Sequence, residues 1–467
     1  MKTDMEMSSP MESKFINQEE AARLLAANAL EFVIIKNPDY VFPDIEITPM
    51  AKKITGPVDH LLAAVMDMDG TTTTTETLCI HSLEYMVRKI SNRLDEKIWK
   101  GLDKRIDYPH IIGNSTTRHV EYLIEKYQSH IDWPAFRSAY LEAAIWFLLY
   151  GKDPNRVREV QNNLTNLGCK ELLRDKRLQR LISRKEHTPD TSKKAMADLM
   201  QTLVGHVSIH SRTDQVRAAI DVYYQRYHEI LEAIKRGQGS QLAGQLLGRN
   251  SHARLIEPMP GIAEFIALIK GWLGEDAANF FPALRDQLAE KLPETARKID
   301  DEKAKIKLQF LGRHFQINPL KIAIVTSSIQ YEAEIVLGEV FRVITEQIEK
   351  WPVSAEKKAF LKQKFSDYHH IYDGFVTATD SSEIRLKPHR DLYSLALHQL
   401  GIPKEQFHQV MGFEDSESGT IAIRTAGMGL CLAVPFSETQ HHDFTAASFI
   451  LKGGLPETIL KYNVFLK

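Results

Sequence analysis

The chain has 467 residues, a length that predicts about two to four domains. Its 59 Lys and Arg nearly balance its 61 Asp and Glu, which argues against a protein that binds nucleic acid or anionic membranes through its net charge. No apolar run approaches the roughly 18 residues of a membrane helix, and the acidic N-terminus does not resemble a signal peptide. With three widely spaced cysteines, we expect a cytoplasmic protein without a disulfide framework. The sequence gives no indication of the oligomeric state.

Residues 1–58 are predicted to form an N-terminal extension. Within it, the stretch NQEEAARLLAANALEFVI (17–34) predicts one amphipathic helix that has Leu24, Leu25, Leu30 and Phe32 on a common face. Several prolines follow and predict an extended connector. The first buried strand is predicted at LLAAVM (61–66), an apolar run that stops at Asp67.

A long helical region follows Glu76. Apolar residues recur there at three- and four-residue spacing, as in HSLEYMVRKISNRL and TDQVRAAIDVYYQRYHEILEAIKRG. No strand pattern interrupts this periodicity before PMPG (258–261). Residues 78–256 are therefore predicted to be an inserted, enlarged helical cap domain.

The rest of the chain alternates strands with helices. Further strands are predicted at KIAIV (321–325), GFVTA (374–378), HQVMGF (408–413) and GLCLAV (429–434). This alternation predicts an α/β fold with a doubly wound parallel sheet. We assign residues 59–77 and 257–467 to this core, with helical insertions near 272–314 and 342–370.

Polar side chains follow the predicted strands where each strand ends. Because the carboxyl ends of parallel strands line one crevice of an open sheet, these side chains are expected to meet there. They are Asp67, Asp69, Thr326, Ser327, Lys387, Glu414 and Asp415.

This set of groups suits phosphoryl transfer. A carboxylate such as Asp67 can attack phosphorus and form an aspartyl-phosphate, and Asp69 can transfer the proton. Together with Glu414 and Asp415, these carboxylates would repel one another, and Mg²⁺ with its preference for oxygen ligands removes that conflict. The site is thus expected to hold Mg²⁺.

The remaining groups supply positive charge and hydrogen-bond donors. Lys387 offers an ammonium group to phosphoryl oxygens, and Thr326 with Ser327 offers hydroxyl and backbone donors. These three residues are the predicted phosphate-binding residues.

Four ordered segments resemble the motifs of the haloacid dehalogenase-like (HAD) phosphohydrolases. They read VMDMDGTTTTTE, IAIVTSS, LKPHRDLYSLAL and MGFEDSESGTIAIRTAGM. The resemblance is greatest to the branch that contains β-phosphoglucomutase and phosphoglycolate phosphatase, and it includes the PMPGIAEFI stretch. It covers the sheet core, whereas the helical insertions match nothing in that family. The run of threonines after Gly70 and the long cap depart from the family pattern.

The resemblance implies a role for each matching residue. Asp67 would be the nucleophile and a metal ligand, and Asp69 would be the acid/base and would bind the metal through its carbonyl. Thr326 and Lys387 would bind phosphate. Asp415, with Glu414, would complete the Mg²⁺ site.

The cap loop at residues 110–118 resembles the specificity loop of the same branch. Arg118 would then contact the non-reacting part of the substrate, or it lies on a solvated helix start. The adjacent pair His441 and His442 is expected at the surface, since no further ligand spacing supports a metal site there.

Three functions remain open on the sequence. The first is a Mg²⁺-dependent phosphatase that hydrolyses a small phosphorylated metabolite, and the second is a sugar phosphomutase of the β-phosphoglucomutase type. The third is a non-catalytic scaffold on the same fold, which the large insertions suggest and the complete set of site residues opposes.

Overall fold

The computed structural model describes residues 15–37, 41–113, 115–183, 189–247, 254–381 and 385–466, without the side chains of 189–195. Residues 1–14 and 38–40 of the predicted N-terminal extension, and 184–188 and 248–253 of the predicted cap, lie outside these ranges. Among the described residues, no helix has both the length and the apolar character needed to cross a membrane.

The N-terminal extension forms a helix and a β-hairpin. Its elements are α1 (Gln18–Asn28), β1 (Glu31–Lys36) and β2 (Ile45–Met50), and the two strands pair antiparallel. The single helix predicted for 17–34 is therefore wrong beyond Asn28, and Leu30 is 91% exposed. The β-branched run Val33, Ile34 and Ile35 favours a strand, and pairing with β2 satisfies its backbone.

A six-stranded parallel sheet forms the centre of the molecule, as the alternation of strands and helices predicts. Its strand order is β10-β9-β8-β3-β6-β7. The short pair β4 and β5 lies outside this sheet and is antiparallel. In chain order the strands are β3 (Ala63–Asp67), β4 (Thr73–Thr74), β5 (Glu257–Pro258), β6 (Lys321–Val325), β7 (Gly374–Val376), β8 (Val410–Glu414), β9 (Leu430–Ala433) and β10 (Phe449–Ile450).

Both faces of the sheet are buried, because its central strands are apolar throughout. All five residues of β3 are buried. Its alternate residues Ala64 and Met66 join one hydrophobic cluster, and Ala63 and Val65 join another. This is the pattern of a doubly wound sheet covered by helices on both sides. The α/β fold class is confirmed.

The region between β4 and β5 is helical. Its helices are α2 (Glu76–Ile90), α3 (Tyr108–Ile111), α4 (Thr116–Lys126), α5 (Trp133–Tyr150), α6 (Pro154–Asn166), α7 (Lys176–Ser183), α8 (Pro189–Leu203), α9 (Arg212–Lys235) and α10 (Gly239–Leu246). Apart from the first two residues of α2, they lie in the stretch assigned to the cap, and the division of the chain into cap and core remains a prediction.

The remaining helices surround the sheet. They are α11 (Ile262–Ile269), α12 (Phe281–Lys291), α13 (Pro293–Arg297), α14 (Asp301–Ile317), α15 (Gln330–Ile348), α16 (Ala355–Lys364), α17 (Asp391–Gln399), α18 (Glu417–Thr425) and α19 (Gly454–Leu460). α12 to α14 lie within or beside the insertion predicted near 272–314. α15 continues through the predicted start of the insertion near 342–370.

Candidate active site

The strand register brings the predicted site residues to one edge of the sheet. Asp67 ends β3 and pairs with Val325 of β6, so Thr326 follows one residue beyond it. On the other side of β3, Met66 pairs with Phe413 of β8, which places Glu414 level with Asp67. The convergence expected from the sequence thus follows from parallel pairing of β8, β3 and β6.

Lys387 links Asp67 and Glu414. Its ammonium group is hydrogen-bonded to Asp67 Oδ1 and lies 2.7 Å from Glu414 Oε1. Asp67 Oδ2 is buried and has no hydrogen-bond partner among the described residues. Burial raises the pKa of Asp67 well above its usual value, and the charge of Glu414 adds to the shift while Lys387 opposes it. Asp67 is therefore a buried carboxyl group with one oxygen available.

Both oxygens of Glu414 have partners. Oε1 accepts a hydrogen bond from the Tyr393 hydroxyl at 2.9 Å, besides its contact with Lys387. Oε2 accepts from the backbone N–H groups of Asp415 and Ser416 and from the Ser416 hydroxyl, at 2.9–3.2 Å. The side chain runs under the start of α18, where a Cβ at Gly419 would lie only 1.8 Å from Glu414 Cδ. Glu414 is thus held in position beside Lys387.

Asp415 completes a cluster of three buried carboxylates. Asp67, Glu414 and Asp415 each offer an oxygen within 4.8 Å of the others. Burial raises the pKa of Asp415 well above its usual value, and the charges of Glu414 and Asp67 raise it further. Three carboxylates with one nearby ammonium form an oxygen-rich set with excess negative charge, which suits a hard divalent cation.

Asp69 lies among hydroxyl groups. Its Oδ1 accepts a hydrogen bond from the Thr75 hydroxyl at 2.5 Å. Its Oδ2 accepts from the hydroxyls of Thr326 at 3.0 Å and Ser328 at 3.2 Å. The Asp69 carboxylate is not part of the three-carboxylate cluster. Asp67 and Asp69 therefore face different chemical surroundings, although they are two residues apart.

The threonine run stabilises the turn that follows these two aspartates. The Thr72 and Thr73 hydroxyls donate to the carbonyls of Asp67 and Met68, at 2.7 and 3.2 Å. Gly70 has φ of +83°, and a Cβ there would lie 2.6 Å from Asp415 Oδ2, so both backbone and space require glycine. The departure from the family pattern thus has a local structural role.

Side chains of α2 and α9 lie close enough to Asp69 for its charge to raise their pKa values. Burial raises the pKa of Tyr227 on α9, and the negative charges of Glu332 and Asp69 add to the shift. Burial also raises the pKa of Glu76 at the start of α2 to about 8, with the charges of Asp69 and Glu438 contributing. The charge of Asp69 therefore acts on side chains of both α2 and α9.

The remaining residues that the sequence analysis singled out are Ser327, Arg118, His441 and His442, and the structure places each of them as follows. Ser327 is exposed, whereas its neighbour Ser328 contacts Asp69. Arg118 is exposed near the start of α4, and Asn114 of the same loop lies outside the described residues. His441 is exposed as expected, but His442 is partly buried and accepts a hydrogen bond from the Glu417 N–H at 3.3 Å.

Sequence reasoning missed three further contacts of the site. The hydroxyls of Thr75 and Ser328 contact Asp69, and the hydroxyl of Tyr393 contacts Glu414. Thr75 lies in the motif VMDMDGTTTTTE and Ser328 in IAIVTSS. The many hydroxyl residues of these motifs could have pointed to hydrogen bonds with Asp69. Tyr393 lies within α17, and from the sequence alone an aromatic residue in a helix is expected to pack into the hydrophobic core.

The chain aligns with several solved structures. CbbY from Rhodobacter sphaeroides in complex with phosphate is 15% identical, with a TM-score of 0.38 over 85% of this chain and 96% of that chain. β-Phosphoglucomutase from Clostridium difficile is 11% identical, with a TM-score of 0.33 over 85% and 92%. A protein assigned as a phosphoglycolate phosphatase from Lactobacillus delbrueckii subsp. bulgaricus is 16% identical, with a TM-score of 0.36 over 86% and 99%.

These proteins belong to the HAD superfamily. It is the family that the four sequence motifs resemble. No family model matches the chain, and no curated protein sequence matches it. At these identities and TM-scores, the similarity carries no information on reaction or substrate.

Proposed function

We propose that this protein is a Mg²⁺-dependent phosphatase that hydrolyses a small phosphomonoester through an aspartyl-phosphate on Asp67. One observation carries the proposal. Asp67 is buried between Lys387 and Asp415, with one oxygen bonded to the ammonium group and the other without a hydrogen-bond partner among the described residues. A carboxylate that is oriented by a cation and keeps one oxygen available is suited to nucleophilic attack.

The two aspartates have complementary roles in the proposed reaction. An Asp67 oxygen attacks phosphorus, and the bond between phosphorus and the leaving oxygen breaks. Asp69 gives that oxygen a proton, and it later takes a proton from the water that cleaves the aspartyl-phosphate. The hydroxyls of Thr75, Thr326 and Ser328 orient the Asp69 carboxylate for this transfer.

Lys387 balances negative charge throughout the cycle. It contacts Asp67 and Glu414 and is 8% exposed, so its charge acts with little solvent screening. Glu414, which is itself fixed by Tyr393 and Ser416, holds the ammonium group in place. Thr326 and, through its backbone N–H, Ser327 remain the proposed phosphate-binding residues beside it. Arg118 remains a proposed substrate contact.

The residues present fit a divalent cation. Three buried carboxylates share one ammonium group, and Asp67 Oδ2 has no hydrogen-bond partner among the described residues, so its lone pairs can serve a cation. Mg²⁺ would be held by the carboxylates of Asp67 and Asp415 and by the carbonyl of Asp69, and Glu414 would complete the set of ligands. When bound, the ion would neutralise the carboxylates and polarise the phosphoryl group.

A sugar phosphomutase is the second candidate. The site does not distinguish it from the phosphatase, because Asp69 among its hydroxyl partners can serve as the acid/base in either reaction. In that reaction, Asp69 would take the proton from the hydroxyl that receives the phosphoryl group. The two candidates share every residue named above.

Phosphate release by the purified full-length protein tests the proposal. With Mg²⁺, we expect it to release phosphate from members of a panel of sugar phosphates, nucleotides and small phospho-acids, and Asp67→Asn to release none. Isomerisation that depends on a sugar bisphosphate, without net phosphate release, would favour the mutase. Absence of both activities across the panel would contradict the proposed chemistry.

A further inference from the structure

The β-hairpin of the N-terminal extension is fastened to the core at its base, the end where β1 begins and β2 ends. There, Glu31 of β1 pairs with Met50 of β2. Glu31 accepts a hydrogen bond at 2.6 Å from Arg424 of α18, whose side chain is fully buried. The Arg424 Nε donates to the Ala51 carbonyl at 2.7 Å, and the Ala51 N–H donates to the Arg424 carbonyl at 2.9 Å. The base of the hairpin is therefore attached to the helix that follows Asp415.

The other end of the hairpin reaches the segment that carries Lys387. Glu46 of β2, which pairs with Ile35 of β1, accepts two hydrogen bonds from the guanidinium of Arg385, at 2.6 and 3.2 Å. The Nδ1 of the buried His389 lies 3.9 Å from Glu46 Oε2. One carboxylate of the hairpin therefore faces residues on both sides of Lys387 in the sequence.

The segment that holds Lys387 depends on side chains for its shape. Residues 385–390 belong to no helix or strand. The Arg385 Nε donates to Asp391 Oδ2 at 2.7 Å, where α17 begins, while the other nitrogens of the same guanidinium donate to Glu46. The Arg385 side chain therefore connects α17 to the hairpin beside the segment that contains Lys387.

The position of Lys387 matters more than the stability of the ion pair that holds it. The side chains of Arg385 and Glu46 are 40% and 28% exposed, so their pair should contribute little to the free energy of unfolding. In contrast, Lys387 forms buried ion pairs with Asp67 and with Glu414. A displacement of about 1 Å in such a site can lower a reaction rate by about a hundredfold. The contacts of Glu46 can therefore affect the reaction without affecting the fold.

We propose that Glu46 is a positioning residue that acts through Arg385 to hold Lys387 beside Asp67. The inference rests on the proposed function, in which Lys387 orients Asp67 and balances negative charge. Glu46 lies in the N-terminal extension and precedes all four of the HAD-like motifs, so those motifs give no indication of this role. The hairpin thereby becomes part of the support of the active site.

Reductive methylation of the full-length protein tests the position of Lys387 without requiring turnover. The rate at each lysine is read by peptide mass spectrometry. In Glu46→Gln, which keeps the shape of the side chain and removes its charge, we expect Lys387 to be methylated about threefold faster or more, because its segment opens more often. Lys303, whose side chain is 85% exposed, is the internal reference and should react at the wild-type rate.

The matched control is Glu31→Gln, which removes the carboxylate at the base of the same hairpin. Because Glu31 pairs with the fully buried Arg424, this variant should lower the melting temperature more than Glu46→Gln does. It should leave the methylation rate of Lys387 unchanged, since Glu31 does not contact the segment 385–390. The two variants thus separate the stability of the hairpin from the position of Lys387.

Steady-state kinetics with a phosphomonoester provide a second measurement. Glu46→Gln should lower kcat by about threefold to tenfold with little change in KM, because fewer molecules hold Lys387 in the reactive position. Arg385→Gln should lower kcat at least as much. The double variant should match Arg385→Gln, since the two residues act as one unit. Losses that multiply in the double variant would overturn the route through Arg385.

The methylation rate of Lys387 decides the proposal. A wild-type rate in Glu46→Gln would overturn it, whatever the value of kcat. Equal acceleration in Glu46→Gln and Glu31→Gln would also overturn it, because the hairpin would then act only as a structural support. Faster methylation in Glu46→Gln alone, in a protein that never releases phosphate, would support the positioning of Lys387 and refute the proposed function.

Discussion

The two aspartates of the DMDG segment lie in opposite surroundings. On what we call the ammonium side, Asp67 contacts Lys387 and shares a buried carboxylate cluster with Glu414 and Asp415. On the hydroxyl side, Asp69 accepts hydrogen bonds from three hydroxyls, those of Thr75, Thr326 and Ser328. Two carboxyl groups in different environments can take different roles in one reaction. The comparison supports a nucleophile on one side and a proton donor on the other.

Lys387→Met is the strongest change on the ammonium side. It removes the positive charge beside Asp67 and Glu414, and we expect it to lower kcat by about a hundredfold to a thousandfold. Because two buried carboxylates would be left without their partner, the free energy of unfolding should also fall, by about 3–5 kcal/mol. Activity assays and denaturant titration check the two effects. A near-normal kcat in this variant would contradict the proposed role of the Lys387 charge beside Asp67.

Asp415→Asn tests the cation on the same side. In the wild-type protein, Mg²⁺ should raise the melting temperature, because binding to the folded carboxylate cluster stabilises the native state. The variant should lose most of this increase and about a hundredfold in kcat. Thermal unfolding with and without Mg²⁺ measures the first effect independently of activity. An undiminished Mg²⁺-dependent shift in the variant would show that the ion binds elsewhere.

Thr75→Val tests the hydroxyl side. The substitution keeps the shape of the side chain but removes the 2.5 Å hydrogen bond to Asp69 Oδ1. A less well-oriented acid/base should lower kcat by about tenfold. Steady-state kinetics measure this loss. A fall in kcat as large as that of Lys387→Met would contradict the expectation that the ammonium side contributes more to catalysis than the hydroxyl side.

Ser328→Ala and Ser327→Ala form a matched pair with the smallest expected effects. Ser328 donates to Asp69 Oδ2 at 3.2 Å, whereas Ser327 is exposed. Loss of the Ser328 hydrogen bond should lower kcat by about threefold to tenfold, since Thr326 still contacts the same oxygen. Ser327→Ala should leave kcat unchanged. A larger loss of kcat in Ser327→Ala than in Ser328→Ala would favour a phosphate-binding role for the Ser327 side chain.

The sequence predicts the sheet and its edge well, because both follow from local patterns. β6 matches its predicted bounds, and β3 and β8 differ from theirs by one or two residues at either end. Parallel pairing then forces the residues that end these strands into one place. A strand of two residues such as β10 carries too little periodicity to be recognised.

Contacts between distant parts of the chain were not predictable. The strand β1 depends on its pairing with β2, and without that partner residues 29–34 read as a continuation of the helix before them. His442 reads as a surface residue until the fold brings Gly113 against it. Ser328 and Ser327 are equivalent in sequence, and only the backbone after β6 decides which of them faces Asp69.

Detection of the covalent intermediate tests the central claim most directly. The protein is mixed with Mg²⁺ and a substrate identified in the phosphate-release panel, quenched during turnover and treated with borohydride, which reduces an acyl phosphate to the alcohol. Peptide mass spectrometry should find homoserine at position 67 in the wild-type protein and none in Asp67→Asn. Conversion at another carboxylate, or turnover by Asp67→Asn at a rate near that of the wild-type protein, would contradict the assignment of Asp67 as the nucleophile.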